Sequence, residues 1–403
     1  MQAIINHKSL RDTILLWLVG SFFLFMTRQV PLNVLSSFMN VSLLAIYIVA
    51  FRSMVTQISN AALPLKLFTV LLTGMLCFDI FYSLALQNEF GAIMRFFLIL
   101  ILLVYSFYII LPEKAVKIFL VLMLVQAIII ILFSLYLTCF FTLESYLPIR
   151  FYFQTMEWGD VYTYNGVFYV IQIRGNALLP FALFVTYFYP LKKNLLFKGI
   201  LFAGSVVAGN FAYIIAMAIF YLIYFLNSTT AEKFFRKLIV LSVMIASLSI
   251  PVYIYYVKPT LERKQEGSLG TRWDQAEVLM NDLTASSAGL IFGSGLGHTI
   301  EKVTYSRDYR GRLYYELQPL YILNQLGVLG FGLMSLFLFV LMPLYRFENR
   351  WILFIYFCYI VYSSTNPYVF DSNHIAVILI LVALQRSIQK RNVSYQMAAI
   401  HKY

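Results

Sequence analysis

Residues able to do chemistry gather in two polar stretches of this 403-residue chain, 140 to 176 and 257 to 316. The second ends in YSRDYRGRLYYE, which puts Arg307, Arg310 and Arg312 just ahead of Glu316. Arginine presents a planar fork that grips phosphate or carboxylate through paired bonds, each charge-assisted bond contributing about 1.5 to 3 kcal/mol. Glu316, where the chain enters an apolar helix, is the best candidate general base, since a helix start favours the charged, proton-accepting form. Tyr314 and Tyr315 offer the ring faces on which sugars stack. Upstream, Thr271 and Asp274 read as a capping box that sets Arg272 in a first helical turn, where free amides attract an anion. In the earlier stretch, Arg174, Gly175 and Asn176 stand at the mouth of an apolar run. Gly175 admits close backbone approach and Asn176 can cap the helix that follows.

Each of these residues also has a plainer reading. The arginines can pair with acidic residues on the same face, Arg174 can snorkel to water, and Glu316 can serve only as a cap.

The elements that must hold these residues are membrane helices. With 61% hydrophobic residues, 12% charged and mean hydropathy +0.79, the chain is expected to be all-α, a polytopic transmembrane bundle forming one membrane domain over 1–403. Its apolar runs are too long and continuous for barrel strands, and no linker divides it. About twelve spans are expected, near 13–30, 33–51, 65–86, 92–111, 115–138, 177–191, 194–209, 211–227, 236–256, 317–345, 350–365 and 372–387.

Between the ninth and tenth spans an interfacial amphipathic helix is expected, anchored by Trp273, with Trp273, Ala276, Met280 and Leu283 on one face. In IFGSGLGHTIE, Gly293, Gly295 and Gly297 alternate without the lysine of a nucleotide-binding loop, which predicts a tight turn at the membrane face. Gln318, Asn324 and Gln325 carry polarity into the tenth span, where Gly327, Gly330 and Gly332 permit close helix contact.

Basic residues set the orientation. Placing both termini inside puts 18 of the 30 Lys and Arg on the inner face and sends both long loops outside. The inner set holds 11 Lys and 7 Arg, the outer set 3 Lys and 9 Arg. An outer face rich in arginine suits an anionic, phosphate-bearing ligand. The net charge of +12 is thus a topology signal, and nucleic acid is not the expected partner. Acidic residues show no DxD, the four His are far apart, and Cys77, Cys139 and Cys358 have no paired spacing. No metal, cofactor or disulfide framework is expected.

The order Arg-Gly-Asn before a mid-chain span, then SLGTRW, GSGLG and LNQLGVLG, resembles the O-antigen polymerase and O-antigen ligase superfamily. The topology matches over most of the chain, the motifs between Ser268 and Gly332. The resemblance implies a metal-independent, inverting glycosyltransferase at the periplasmic face of a bacterial inner membrane. Its donor and acceptor would be oligosaccharides on undecaprenyl diphosphate, and membrane lipid, a flippase and a chain-length regulator would be its partners.

Arg174 and Arg272 match the arginines held to bind the diphosphate, and Glu316 falls near the position where ligases carry a catalytic histidine. No histidine occupies that stretch, since His298 lies earlier and His374 beyond the next outer turn, which favours polymerase over ligase. Glu316, Arg272 and Arg174 are then the expected catalytic residues. Arg307, Arg310, Arg312, Tyr315, Asn176 and Trp273 are the expected substrate contacts. The rival class, a lipid-linked oligosaccharide transporter, would need charges near the bilayer midplane, and Asp79 is the main charge within a span.

Overall fold

A computed structural model describes residues 2–27, 35–156, 158–163, 168–173, 175–191, 194–228, 270–304 and 307–400. The expected span at 236–256 lies outside them, as do Arg174, Arg28 and the loop from 257 to 269. The described residues are mostly helical. Among the described residues six helices are long and apolar enough to cross a membrane: Leu10–Thr27, Ser37–Asn60, Leu63–Ala85, Lys114–Phe140, Gln318–Arg346 and Ser372–Arg391. Shorter apolar helices occupy Phe90–Ser106, Asn176–Val185, Asn194–Val207, Phe211–Asn227 and Arg350–Ser363. The run expected over 177–191 stops at Val185 and continues as turns, ahead of Pro190, which disfavours helix at the residue before it.

Burial sorts these helices. Ser372–Arg391 is 78% buried, against 28 to 44% for the other five long ones, and Ile375 through Leu384 are shielded on all sides. A helix apolar all round belongs at the centre of a bundle. The outer helices expose Trp17, Ile48, Phe51, Val70 and Phe81, far more apolar surface than a protein in water tolerates. The protein is a helical membrane protein. All three cysteines are free.

The all-α expectation needs one correction. Residues 140–176, read as one long outer loop, contain helix Leu147–Thr155 and a hairpin of β1 (Gly159–Thr163) and β2 (Tyr169–Ile173), paired antiparallel from Gly159↔Ile173 to Thr163↔Tyr169. The β-branched and aromatic run YVIQI favours strand over helix. Arg150 holds the helix to the hairpin through two bonds to Asp160, at 2.9 and 3.0 Å.

The helix Gln318–Leu336 is broken. Gly327, at φ 64 and ψ 179, leaves helical geometry. A break inside a membrane is tolerated only where the freed backbone groups find partners, and the glycine turn supplies them. Ser294 N donates to Asn324 O at 2.8 Å and Gly295 N to Gln325 O at 3.1 Å. The turn is fastened to the third long helix as well, with Leu296 N donating to Ser83 Oγ at 2.6 Å and Asn88 Nδ2 to Ser294 O at 3.0 Å. The Gly293–Gly297 turn is therefore a structural clasp, as its lack of the nucleotide-loop lysine suggests. A side chain at Gly293 would place Cβ 2.1 Å from Gln325 O, while one at Gly311, also left-handed, would meet nothing within 4 Å.

Gly293→Ala should therefore destabilise the protein by about 1 to 3 kcal/mol, beyond the conformational penalty alone that Gly311→Ala incurs. Thermal unfolding in detergent checks the order, and equal losses at both positions would count against a close crossing of the two chains.

Candidate functional site

Helix α10 (Gly270–Leu283) stands beside the start of the broken helix. Its buried stripe is Gln275, Val278, Leu279 and Leu283, spaced as one helical face. Of the expected apolar face, Leu283 belongs to this stripe, while Trp273 is 76% and Met280 40% exposed. The stripe packs on the broken helix, with Asn324 Nδ2 donating to Leu279 O at 3.3 Å. An exposed Trp273 suits an interfacial anchor.

Buried Gln275 joins the two elements. Its Oε1 accepts the backbone N–H of Glu316 at 3.1 Å and of Leu317, the N-cap of the helix that follows, at 3.3 Å. This bond fixes Glu316 relative to Arg272, three residues before Gln275 on the same helix. Arg272 Nε donates to Glu316 Oε2 at 3.4 Å, and Arg307 Nη1 lies 3.9 Å from Glu316 Oε1. All three side chains are about one-third exposed.

Both contacts are longer than the 2.7 to 2.9 Å of a closed charge-assisted bond. Ion pairs this open contribute about 0 to 1 kcal/mol. Such a cluster adds little to the fold, and both guanidinium groups keep donors for another anion.

The loop bearing Arg307 is held to α10 through Asp274, whose Oδ2 accepts Thr304 Oγ1 at 2.6 Å and Tyr309 Oη at 2.7 Å. Asp274 therefore engages this loop. Burial, aided by Asp274, raises the Tyr309 hydroxyl and keeps it a donor.

Three residues expected at the site converge: Arg272, Arg307 and Glu316. Others do not. Arg310 closes on Asp308 at 2.7 Å and holds that carboxyl down at about 2, and Arg312 Nε donates to Asp308 O at 2.6 Å. These two arginines brace their own turn. Tyr315, expected to stack on sugar, is 1% exposed, with its ring against Tyr309 and Tyr321 at centroid distances of 5.7 and 4.4 Å. Burial pushes its hydroxyl up to about 12.

Asn176 is 3% exposed. Its Nδ2 donates to Ile171 O and its Oδ1 accepts Gln126 Nε2, each at 2.8 Å. It ties the hairpin to the bundle and leaves the helix cap to Gly175. Gly175 itself serves contact with Met26 and Thr27 rather than a ligand, since a Cβ there would lie 2.8 Å from Thr27 Cα. His374 is wholly buried, its Nε2 2.7 Å from Tyr356 Oη.

Sequence reasoning missed a polar group further along α10. Asp282 Oδ2 accepts Asn324 Nδ2 at 2.9 Å and Ser294 Oγ at 3.2 Å, and His298 Nε2 lies 3.1 Å away. The His298 contact is close but poorly aligned for a hydrogen bond. Burial opposes the charge on Asp282, yet the His298, Asn324 and Ser294 contacts outweigh it and hold the carboxyl below its ordinary value. The signal was seven-residue spacing: Gln275 and Asp282 are two turns apart on one face.

No protein-family model matches the chain, and a search among curated proteins finds no match either.

Asp282→Ala should lower stability at neutral pH by about 1 to 3 kcal/mol, the usual cost of stranding buried partners. Because the folded carboxyl lies below its unfolded value of about 3.9, the stabilisation is full above that pH and is lost as pH falls through the lower folded value. Unfolding followed from pH 7 to pH 3 should show the gap between variant and parent closing at the acid end; a gap that widens there would contradict this linkage.

Proposed function

We propose that the protein is an integral membrane glycosyltransferase that joins undecaprenyl-diphosphate-linked oligosaccharide repeat units into O-antigen or a related surface polysaccharide. In this reading the eleven described apolar helices and 236–256 make twelve spans. Both termini lie on the cytoplasmic side of a bacterial inner membrane, and Glu316 faces the periplasm. The observation that carries the reading is the convergence of Arg272 and Arg307 on Glu316 at the entrance to a long apolar helix. A base flanked by two phosphate-gripping groups at a lipid boundary is what sugar transfer from a lipid diphosphate requires.

The chemistry then runs as one displacement. An acceptor sugar hydroxyl attacks the anomeric carbon of the donor and gives its proton to Glu316. The carbon–oxygen bond to the diphosphate breaks, its electron pair leaves on the phosphate oxygen, and the configuration at carbon inverts. Arg272 and Arg307 exchange Glu316 for the diphosphate as the donor binds, which frees the carboxylate and stabilises the leaving charge. Arg174, from the first outer loop, is proposed as a third cation. Trp273 meets the lipid boundary beside the site.

Surface glycan from cells carrying single variants, resolved on gels, tests this reading. Glu316→Gln should lower polymerisation about 10²- to 10⁴-fold and leave single repeat units attached. Arg272→Ala and Arg307→Ala should each cost about 10²- to 10³-fold, while Arg310→Ala should stay near the parent. Loss of all attached glycan would point to a ligase instead, and unchanged length and yield in all three site variants would overturn the assignment.

A further inference from the structure

A second arginine pair sits at the far end of the helix run that begins beside Glu316. The run of 29 residues from Gln318 to Arg346 is long and apolar enough to cross a membrane. There a polar cavity of about 320 Å³ lies among Gln57, Arg346, Glu348, Gln385, Arg386 and Gln389. Its volume is at the lower end of the range for small-ligand sites.

The charges in this cavity are out of balance. Arg346 and Arg386 line the same cavity, and neither forms an ion pair with a carboxylate among the described residues. Arg346 Nη1 donates to Gln57 Oε1 at 3.1 Å, and Arg386 Nη1 to Leu111 O at 3.2 Å. A guanidinium has five N–H donors, and most of those on Arg346 and Arg386 find no partner among the described residues. The lone carboxylate in the wall, Glu348, is exposed and bonded to Gln389 at 2.9 Å. Two arginines against one glutamate leave a positive charge. Gln385, only 6% exposed, also lines the cavity, and its amide oxygen has no partner. A half-turn of that amide would offer N–H groups instead.

Two guanidinium forks lining one cavity, each with open donors, suit a tetrahedral oxyanion. We propose that this cavity binds a phosphate ester, carried on an anionic lipid headgroup or on a soluble molecule. Leu344 and Tyr345, exposed at 66% and 44% beside Arg346, give a lipid tail a surface to lie on. The site is separate from Glu316 and independent of the proposed transfer reaction.

The test uses full-length protein, purified in detergent and stripped of lipid, and follows its unfolding temperature. Phosphatidylglycerol should raise it by about 3 °C or more while phosphatidylcholine does not, if the ester comes from lipid. Inorganic phosphate, compared with chloride at equal ionic strength, should raise it if the source is soluble. Either shift should vanish in the double variant Arg346→Gln, Arg386→Gln. Gln385→Glu keeps both arginines and their bonds but fills the cavity with negative charge, so it should also abolish the response and serves if the double variant does not fold. No shift with any anion, or an undiminished shift in Gln385→Glu and the double variant, would overturn the site.

Discussion

Two backbone hydrogen bonds, from Ser294 and Gly295 to the carbonyls of Asn324 and Gln325, hold the arrangement together. They satisfy a helix that breaks at Gly327 inside an apolar bundle, where an open carbonyl would cost several kcal/mol. Because the turn also binds Ser83 and Asn88, the break is pinned to a neighbouring helix. Asp282 then couples turn, break and α10 through Ser294 and Asn324. Gln275, two turns away, receives Glu316 at a fixed distance from Arg272. The cluster at the boundary is positioned by a chain of polar contacts that starts inside the membrane.

The division of labour among polar residues follows from burial. Asp282, Asn324, Gln275 and Asn176 are bonded within the fold, where a lost partner is expensive. Arg272, Arg307 and Glu316 are joined by long, open contacts and contribute little to stability. Charges held near one another without closing are the ones available to a ligand.

Composition and hydropathy were enough to read the helical membrane class and most helix positions. Glu316 and Arg307 stand out as well, because clustered arginines ahead of a helix-entry carboxylate are a local pattern, whereas the approach of Arg272, 44 residues earlier, depends on how α10 docks. Other features depend on partners distant in sequence. Whether Tyr315 faces solvent depends on Tyr309 and Tyr321 closing over it, and the fate of Asn176 depends on Gln126, 50 residues earlier. On α10 the apolar pattern picks out Trp273 and Met280, which stay exposed, while the residues that dock are set by what Asn324 and Glu316 offer. The hairpin at 159–173 was missed because two five-residue strands carry a weaker pattern than a span.

If Arg272 and Arg307 trade Glu316 for a diphosphate, the carboxylate competes with the ligand for the same two cations. Equilibrium binding of farnesyl diphosphate to the purified protein, compared between the parent and Glu316→Gln, measures that competition directly. The exchange account predicts tighter binding by the variant, even though it cannot take the proton. Equal or weaker binding by the variant would contradict it.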